Sequence, residues 1–213
     1  MQKEVVINTA KTKLLEKPFD IAHDIFHHYK VWENILIIML QEGLNLDVDK
    51  LEIACWWHDY ERGSTEHKIL TSTMVGAGYP EDYIEAVKQL INTHSFHDQH
   101  SDDDEAKVLF DADKLEYVNM GRLMWMGEGI LKGDLDTNQG RKYGHALNER
   151  IYQVVQLLHY PTTRLMMANN ITNLLVALPT CQEKYKDFMR DVTADELLKA
   201  HQYLQSYSAN SKL

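Results

Sequence analysis

Apolar residues recur along most of this 213-residue chain at steps of three and four, the period of a helix with one buried face. No long alternation of Val, Ile and Thr marks a strand, so the predicted fold class is all-α. The four prolines, Pro18, Pro80, Pro161 and Pro179, are each expected between periodic segments. A first long helix is predicted from about Ile21 to Glu42, with Asp20 as N-cap and Gly43 just past its end. A second runs from about Val48 to Tyr60 after Asp47, and a third from about Thr65 to Val75. Pro80 opens a fourth, whose Ile84, Val87 and Ile91 form an apolar stripe and which ends near His94. Ser95 to Ser101 is polar apart from Phe96 and is predicted as a loop.

A fifth helix begins near Asp104 and carries Val108, Leu109 and Leu115. Gly127 to Gly140 holds four glycines and is expected to be irregular. Two more helices follow, about Arg141 to His159 and Thr162 to Leu178. The last opens with Thr193-Ala194-Asp195-Glu196, the spacing of a capping box. Trp32, Trp56, Trp57, Met120, Met124 and Met126 are expected in the core.

Length allows one domain, or one domain with a helical extension, and a core large enough to need no disulfide. Of the two cysteines, Cys55 sits in the apolar run Ile53 to Trp57, so a buried free thiol is expected. The start, Met1-Gln2-Lys3-Glu4, lacks the halves of a signal peptide. The longest aliphatic run, Ile35 to Leu40, is far too short to span a bilayer. Cytoplasmic residence without membrane attachment is the expectation. A formal net charge of −10 disfavours a nucleic-acid polymer as partner. It leaves room for a small phosphorylated substrate, because a bound cation reverses the field locally.

Candidate chemistry starts from His-Asp dipeptides, which occur at His23-Asp24, His58-Asp59 and His97-Asp98. His58-Asp59 follows Ala54-Cys55-Trp56-Trp57 and so ends a helix that must be largely buried. A buried imidazole beside a buried carboxylate is costly unless paired or bound to a metal. His97-Asp98 falls in the polar loop and is expected to be solvated. His23, His27, Val31 and Ile35 recur at steps of four, so one face turns His27 toward the core. Leu109 and Asp113 share a face in the same way. Three helices thus direct His27, the His58-Asp59 pair and Asp113 inward. Two imidazoles and two carboxylates suit Mn²⁺, Fe²⁺, Co²⁺ or Zn²⁺.

These residues bring a resemblance. In order, the chain resembles the HD-domain metal-dependent phosphohydrolase superfamily, in the manner of its small bacterial-type members. His23 to Val31 is similar to the opening motif of the family, with His27 rather than His28 in the ligand position. Trp57-His58-Asp59 resembles the signature pair. Glu66 to Pro80 resembles the next helix and turn, Ile91-Asn92-Thr93-His94 the Ile-x-x-His motif, and Ala106 to Leu115 the closing segment with Asp113 as ligand. The similarity covers about Ile21 to Asn119, with a weaker echo from Thr162 to Ala168. It implies a helical bundle of the HD-domain, phosphodiesterase-like kind. The expected organisation is a single domain over 1–213, a motif-bearing core followed by a helical extension.

The resemblance further implies one divalent ion (Mn, Fe, Co, Zn or Mg), in some members joined by a second, held by His27, His58, Asp59 and Asp113. The activity implied is hydrolysis of a small phosphorylated metabolite, a nucleotide first among them. Some members carry a catalytic Glu four residues after the signature His; here that place is Arg62, and the Glu stands at Glu61. Asp59 or Glu61 is expected to orient water and His94 to protonate the leaving oxygen. Arg62, His67 and Lys114 are the expected phosphate-holding groups, and His67 and His94 the alternative ligands of a second metal. Arg141, Arg150 and Arg164 are further cations on the C-terminal helices. Two rival readings stand beside hydrolysis: a non-catalytic domain that senses a nucleotide or binds a partner, and a di-iron oxygenase.

Overall fold

A computed structural model describes residues 2–18, 20, 22–61, 64–93 and 102–210. Among them there are eleven α-helices and no strand. The fold class is all-α, as the periodicity predicts. No helix of the described residues is long and apolar enough to cross a membrane. The chain divides into two compact units, Met1–Ala112 and Asp113–Leu213.

The first unit holds α1 (Gln2–Glu16), α2 (Ile25–Glu42), α3 (Val48–Trp57), α4 (Lys68–Gly76), α5 (Glu81–Thr93) and most of α6 (Asp104–Lys114). Helix α3 is its centre. Leu51, Ile53, Ala54, Cys55, Trp56 and Trp57 are all buried, so nearly every face of its last two turns is covered. Helices α1, α2 and α5 pack against it, and the Trp57 indole N–H donates to the Val6 carbonyl at 3.2 Å. Helix α1 lies outside the predicted set. Val6, Ala10 and Leu14 are buried at steps of four, but Val5 and Leu15 are exposed and dilute the pattern.

Asp24, not Asp20, caps α2; its carboxylate accepts from the His27 amide at 2.9 Å. Asp20 serves the preceding turn instead, accepting from the Ala22 amide at 2.7 Å. Gly43 ends α2 in the left-handed region, φ 66°, and its amide donates to the Met39 carbonyl, the role predicted for it. Helix α3 starts at Val48 as predicted, with Asp47 as its N-cap, although it stops at Trp57 rather than Tyr60. Ile84, Val87 and Ile91 form the buried stripe of α5. The predicted loop Ser95 to Ser101 lies outside the described residues.

The second unit begins with a short 3-10 turn, Leu115–Val118. It continues through α7 (Met120–Lys132), α8 (Thr137–Leu157), α9 (Pro161–Lys184), α10 (Lys186–Met189) and α11 (Ala194–Asn210). The expected irregular stretch from Gly127 to Gly140 is helical except for a break at 133–136. Two of its glycines serve close packing: a Cβ on Gly127 would lie 2.6 Å from the Tyr185 ring, and one on Gly140 only 2.3 Å from Ile130 Cδ1. Pro179 lies inside α9 rather than between helices. Of the side chains expected in the core, Met126, Trp56 and Trp57 are buried, Met120 and Trp32 are half-buried, and Met124 is exposed. Both cysteines are free and buried.

Candidate metal centre

The site is built on the ends of three helices. The first turn of α2, fixed by the Asp24 cap, presents His27. The C-terminus of α3 presents His58 and Asp59; His58, the C-cap, keeps right-handed helical dihedrals, and the Tyr60 amide closes a tight turn onto the Trp57 carbonyl at 3.1 Å. Helix α6 starts in the first unit and runs two residues past Ala112, carrying Asp113 on its last turn. His27, His58, Asp59 and Asp113 each offer one ligand atom, and these atoms all lie within 4.8 Å of one another. The three residues from α2 and α3 are at most 2% exposed.

Local contacts fix the chemical state of these groups. His58 Nδ1 lies 2.7 Å from the Cys55 carbonyl oxygen. A carbonyl only accepts, so Nδ1 carries a proton, and Nε2 is the ring atom left facing the site. That Nε2 stands 2.9 Å from Asp59 Oδ2 and 3.3 Å from His27 Nε2; His27 Nε2 is in turn 3.4 Å from the same carboxylate oxygen. Burial alone would push the Asp59 carboxyl up. The surrounding imidazoles of His58, His23 and His27 outweigh it and hold the carboxyl well below the ordinary range, so Asp59 is an anion. Electron-rich atoms converging at roughly 3–4 Å have the separations of ligands sharing one divalent ion. The donor set and its tautomer therefore fit a metal.

Two histidines absent from the predicted ligand set complete the surroundings. His23 Nε2 is 3.9 Å from Asp59 Oδ2, while its Nδ1 pairs with Asp20 Oδ1 at 2.7 Å. The step of four from His27 was the signal for it. His28 is fully buried, donates from Nδ1 to the Asp24 carbonyl at 2.8 Å, and packs its ring 4.6 Å from that of His58. Burial, then the neighbouring His58 and His27, push its basicity far down, so it packs as a neutral ring. The cluster contains His27 and not His28, the register the opening motif implied.

Lys114 Nζ pairs with Asp113 Oδ2 at 2.5 Å. The Glu61 carboxylate accepts from the amides of Ile69 and Leu70 at 3.0–3.1 Å, so it caps the N-terminus of α4 from outside the helix. His67, just before α4, is buried, has φ 44°, and holds Asn92 Oδ1 through Nε2 at 2.9 Å. Arg62 and His94 lie outside the described residues, as does His97-Asp98. In the second unit Arg141 pairs with Asp187, and Arg164 donates to the Leu158 carbonyl.

Residues 24–118 match the sequence profile of the HD domain family. The chain carries an HD domain. The match spans the whole ligand set, from the cap of α2 to the end of the 3-10 turn after α6. No curated protein and no solved structure matches the chain. HD domains bind divalent metals, and this one brings the four ligand groups together on helix ends.

Proposed function

We propose that this HD domain is a metal-dependent phosphohydrolase acting on a small phosphorylated metabolite, a nucleotide first among the candidates. The observation that carries the reading is the convergence of His27, His58, Asp59 and Asp113, with the His58 tautomer set by Cys55. These four residues would hold the ion. When bound, a divalent ion supplies a water of lowered pKa and polarises a phosphoryl oxygen.

The chain's own residues do the rest. Asp59 is a buried anion and orients the proton-bearing side of an attacking water. Lys114, paired with Asp113, fixes that carboxylate and adds positive charge where phosphate charge develops. Arg62 and His94 keep the roles that the family resemblance gives them, phosphate holding and protonation of the leaving oxygen. Glu61 holds α4 rather than the water, because its carboxylate already accepts two amides. The HD core and the helices after it are proposed to work as one protein in the cytoplasm, as the sequence suggests.

The test is a screen of nucleotides and other phosphate esters with added Mn²⁺, repeated with His58→Ala and Asp113→Ala. Loss of about a hundredfold or more in both variants is expected. Full activity in both overturns the reading. A nucleotide that copurifies without turnover favours the sensing alternative.

A further inference from the structure

The second unit carries a cleft that the HD match does not reach. Helices α9 and α11 pack together and enclose a cavity of about 530 Å³, with Arg164, Leu165, Ala168, His201, Leu204 and Tyr207 among its walls. Small-molecule sites run to roughly 300–1,000 Å³, mostly apolar with a few polar groups that fix orientation. This cleft has that make-up. Leu165, Ala168, Leu204 and the Tyr207 ring supply apolar wall.

Arg164 is the exception among these walls. Its guanidinium lies 3.8 Å from the centroid of the Tyr207 ring, and one Nη donates to the Leu158 carbonyl. Its Nε is buried without a hydrogen-bond partner, and among the described residues no carboxylate pairs with the charge. A half-buried guanidinium without a counter-ion is costly, and an anion in the cleft relieves that cost. His201, on the same cleft, bonds Thr172 Oγ1 through Nε2 at 3.0 Å.

We propose that the α9–α11 cleft binds a small amphipathic organic anion. Its planar apolar body lies against Leu165, Ala168, Leu204 and Tyr207, and its carboxylate, sulfonate or phosphate faces Arg164. The site is independent of the metal centre and of the hydrolase reading.

Two fluorescent probes of similar shape test it on the full chain: anilinonaphthalene sulfonate, which is anionic, and phenylnaphthylamine, which is neutral. The expected result is saturable binding of one sulfonate probe per chain. Arg164→Gln should raise its Kd about tenfold or more while changing the neutral probe's Kd less than about twofold. Leu165→Glu places a repelling charge at a position 65% exposed, where folding is not at stake, and should weaken the sulfonate probe in the same way. Unchanged sulfonate affinity in Leu165→Glu, or binding that never saturates at one per chain, overturns the proposal. If Arg164→Gln fails to fold, as read by circular dichroism, the Leu165→Glu result decides alone.

Discussion

Asn34 Nδ2 donates to the Ala112 carbonyl at 3.1 Å, and Asn34 is buried. Asn34 lies seven residues, two helical turns, after His27 on α2. Ala112 immediately precedes Asp113 on α6. One amide thus ties the helix that presents an imidazole ligand to the peptide that presents a carboxylate ligand. Asn34→Ala should cost about 1–3 kcal/mol by leaving a buried carbonyl unsatisfied. It should also weaken Mn²⁺ binding, measured by titration calorimetry at a temperature where the variant is folded. A lower melting temperature with unchanged Mn²⁺ affinity would limit Asn34 to a structural role.

Glu61 is expected to behave as a cap. Glu61→Ala should destabilise the chain by about 0.5–2 kcal/mol, the usual worth of a cap at a helix N-terminus. Glu61→Gln keeps an acceptor for the Ile69 and Leu70 amides and should retain most of the turnover. Urea unfolding and an activity assay on the same preparations check this. A Glu61→Gln variant of normal stability that has lost activity would instead make Glu61 a proton-transfer group.

Gly144 lets α8 approach the backbone of α10. An added Cβ would lie 2.3 Å from the Phe188 carbonyl oxygen, and that partner is backbone, not a flexible side chain. Gly144→Ala should therefore destabilise by about 1–3 kcal/mol, despite the better helix propensity of Ala. The same substitution at Gly76, where a Cβ meets nothing, should be neutral or mildly stabilising. Thermal unfolding of the two variants side by side makes the comparison.

Tyr143 links stability to alkaline pH. Its phenol is pushed up above the ordinary value of 10.0 by burial, and its O–H donates to the carbonyls of Tyr117 and Glu116 at 3.2 and 3.4 Å. The folded value lies above the unfolded one. The contribution is therefore complete below pH 10 and is lost as the pH rises toward the raised folded value. Tyr143→Phe should flatten that alkaline loss. An unaltered stability profile above pH 10 in Tyr143→Phe would remove the phenol from the account.

Much of the metal centre was legible because each ligand sits beside its own burial signal. The run Ala54 to Trp57 announces that the helix ending at His58-Asp59 is covered, and the four-residue steps from His27 and Leu109 aim the other two ligands. What failed was decided by tertiary contacts. Asp20 and Asp24 are equally good caps by residue type; only the folded turn, in which Asp20 accepts from Ala22 and His23, leaves Asp24 for α2. The glycines from Gly127 to Gly140 suggest a break because glycine destabilises a helix in isolation, yet the missing Cβ of Gly127 admits Tyr185 and that of Gly140 admits Ile130. Glu61 could not be read as a cap because its partners lie eight and nine residues on, beyond the three-residue spacing of a capping box.

The central claim is one ion held by side chains from α2, α3 and α6. Its most direct measurement is Mn²⁺ binding to chelator-stripped protein, followed by the loss of the free-ion paramagnetic resonance signal. One tight ion per chain is expected. His27→Ala, His58→Ala and Asp113→Ala should each weaken it by about ten- to a hundredfold or more, with helical content kept. Undiminished Mn²⁺ affinity in all three variants would contradict it.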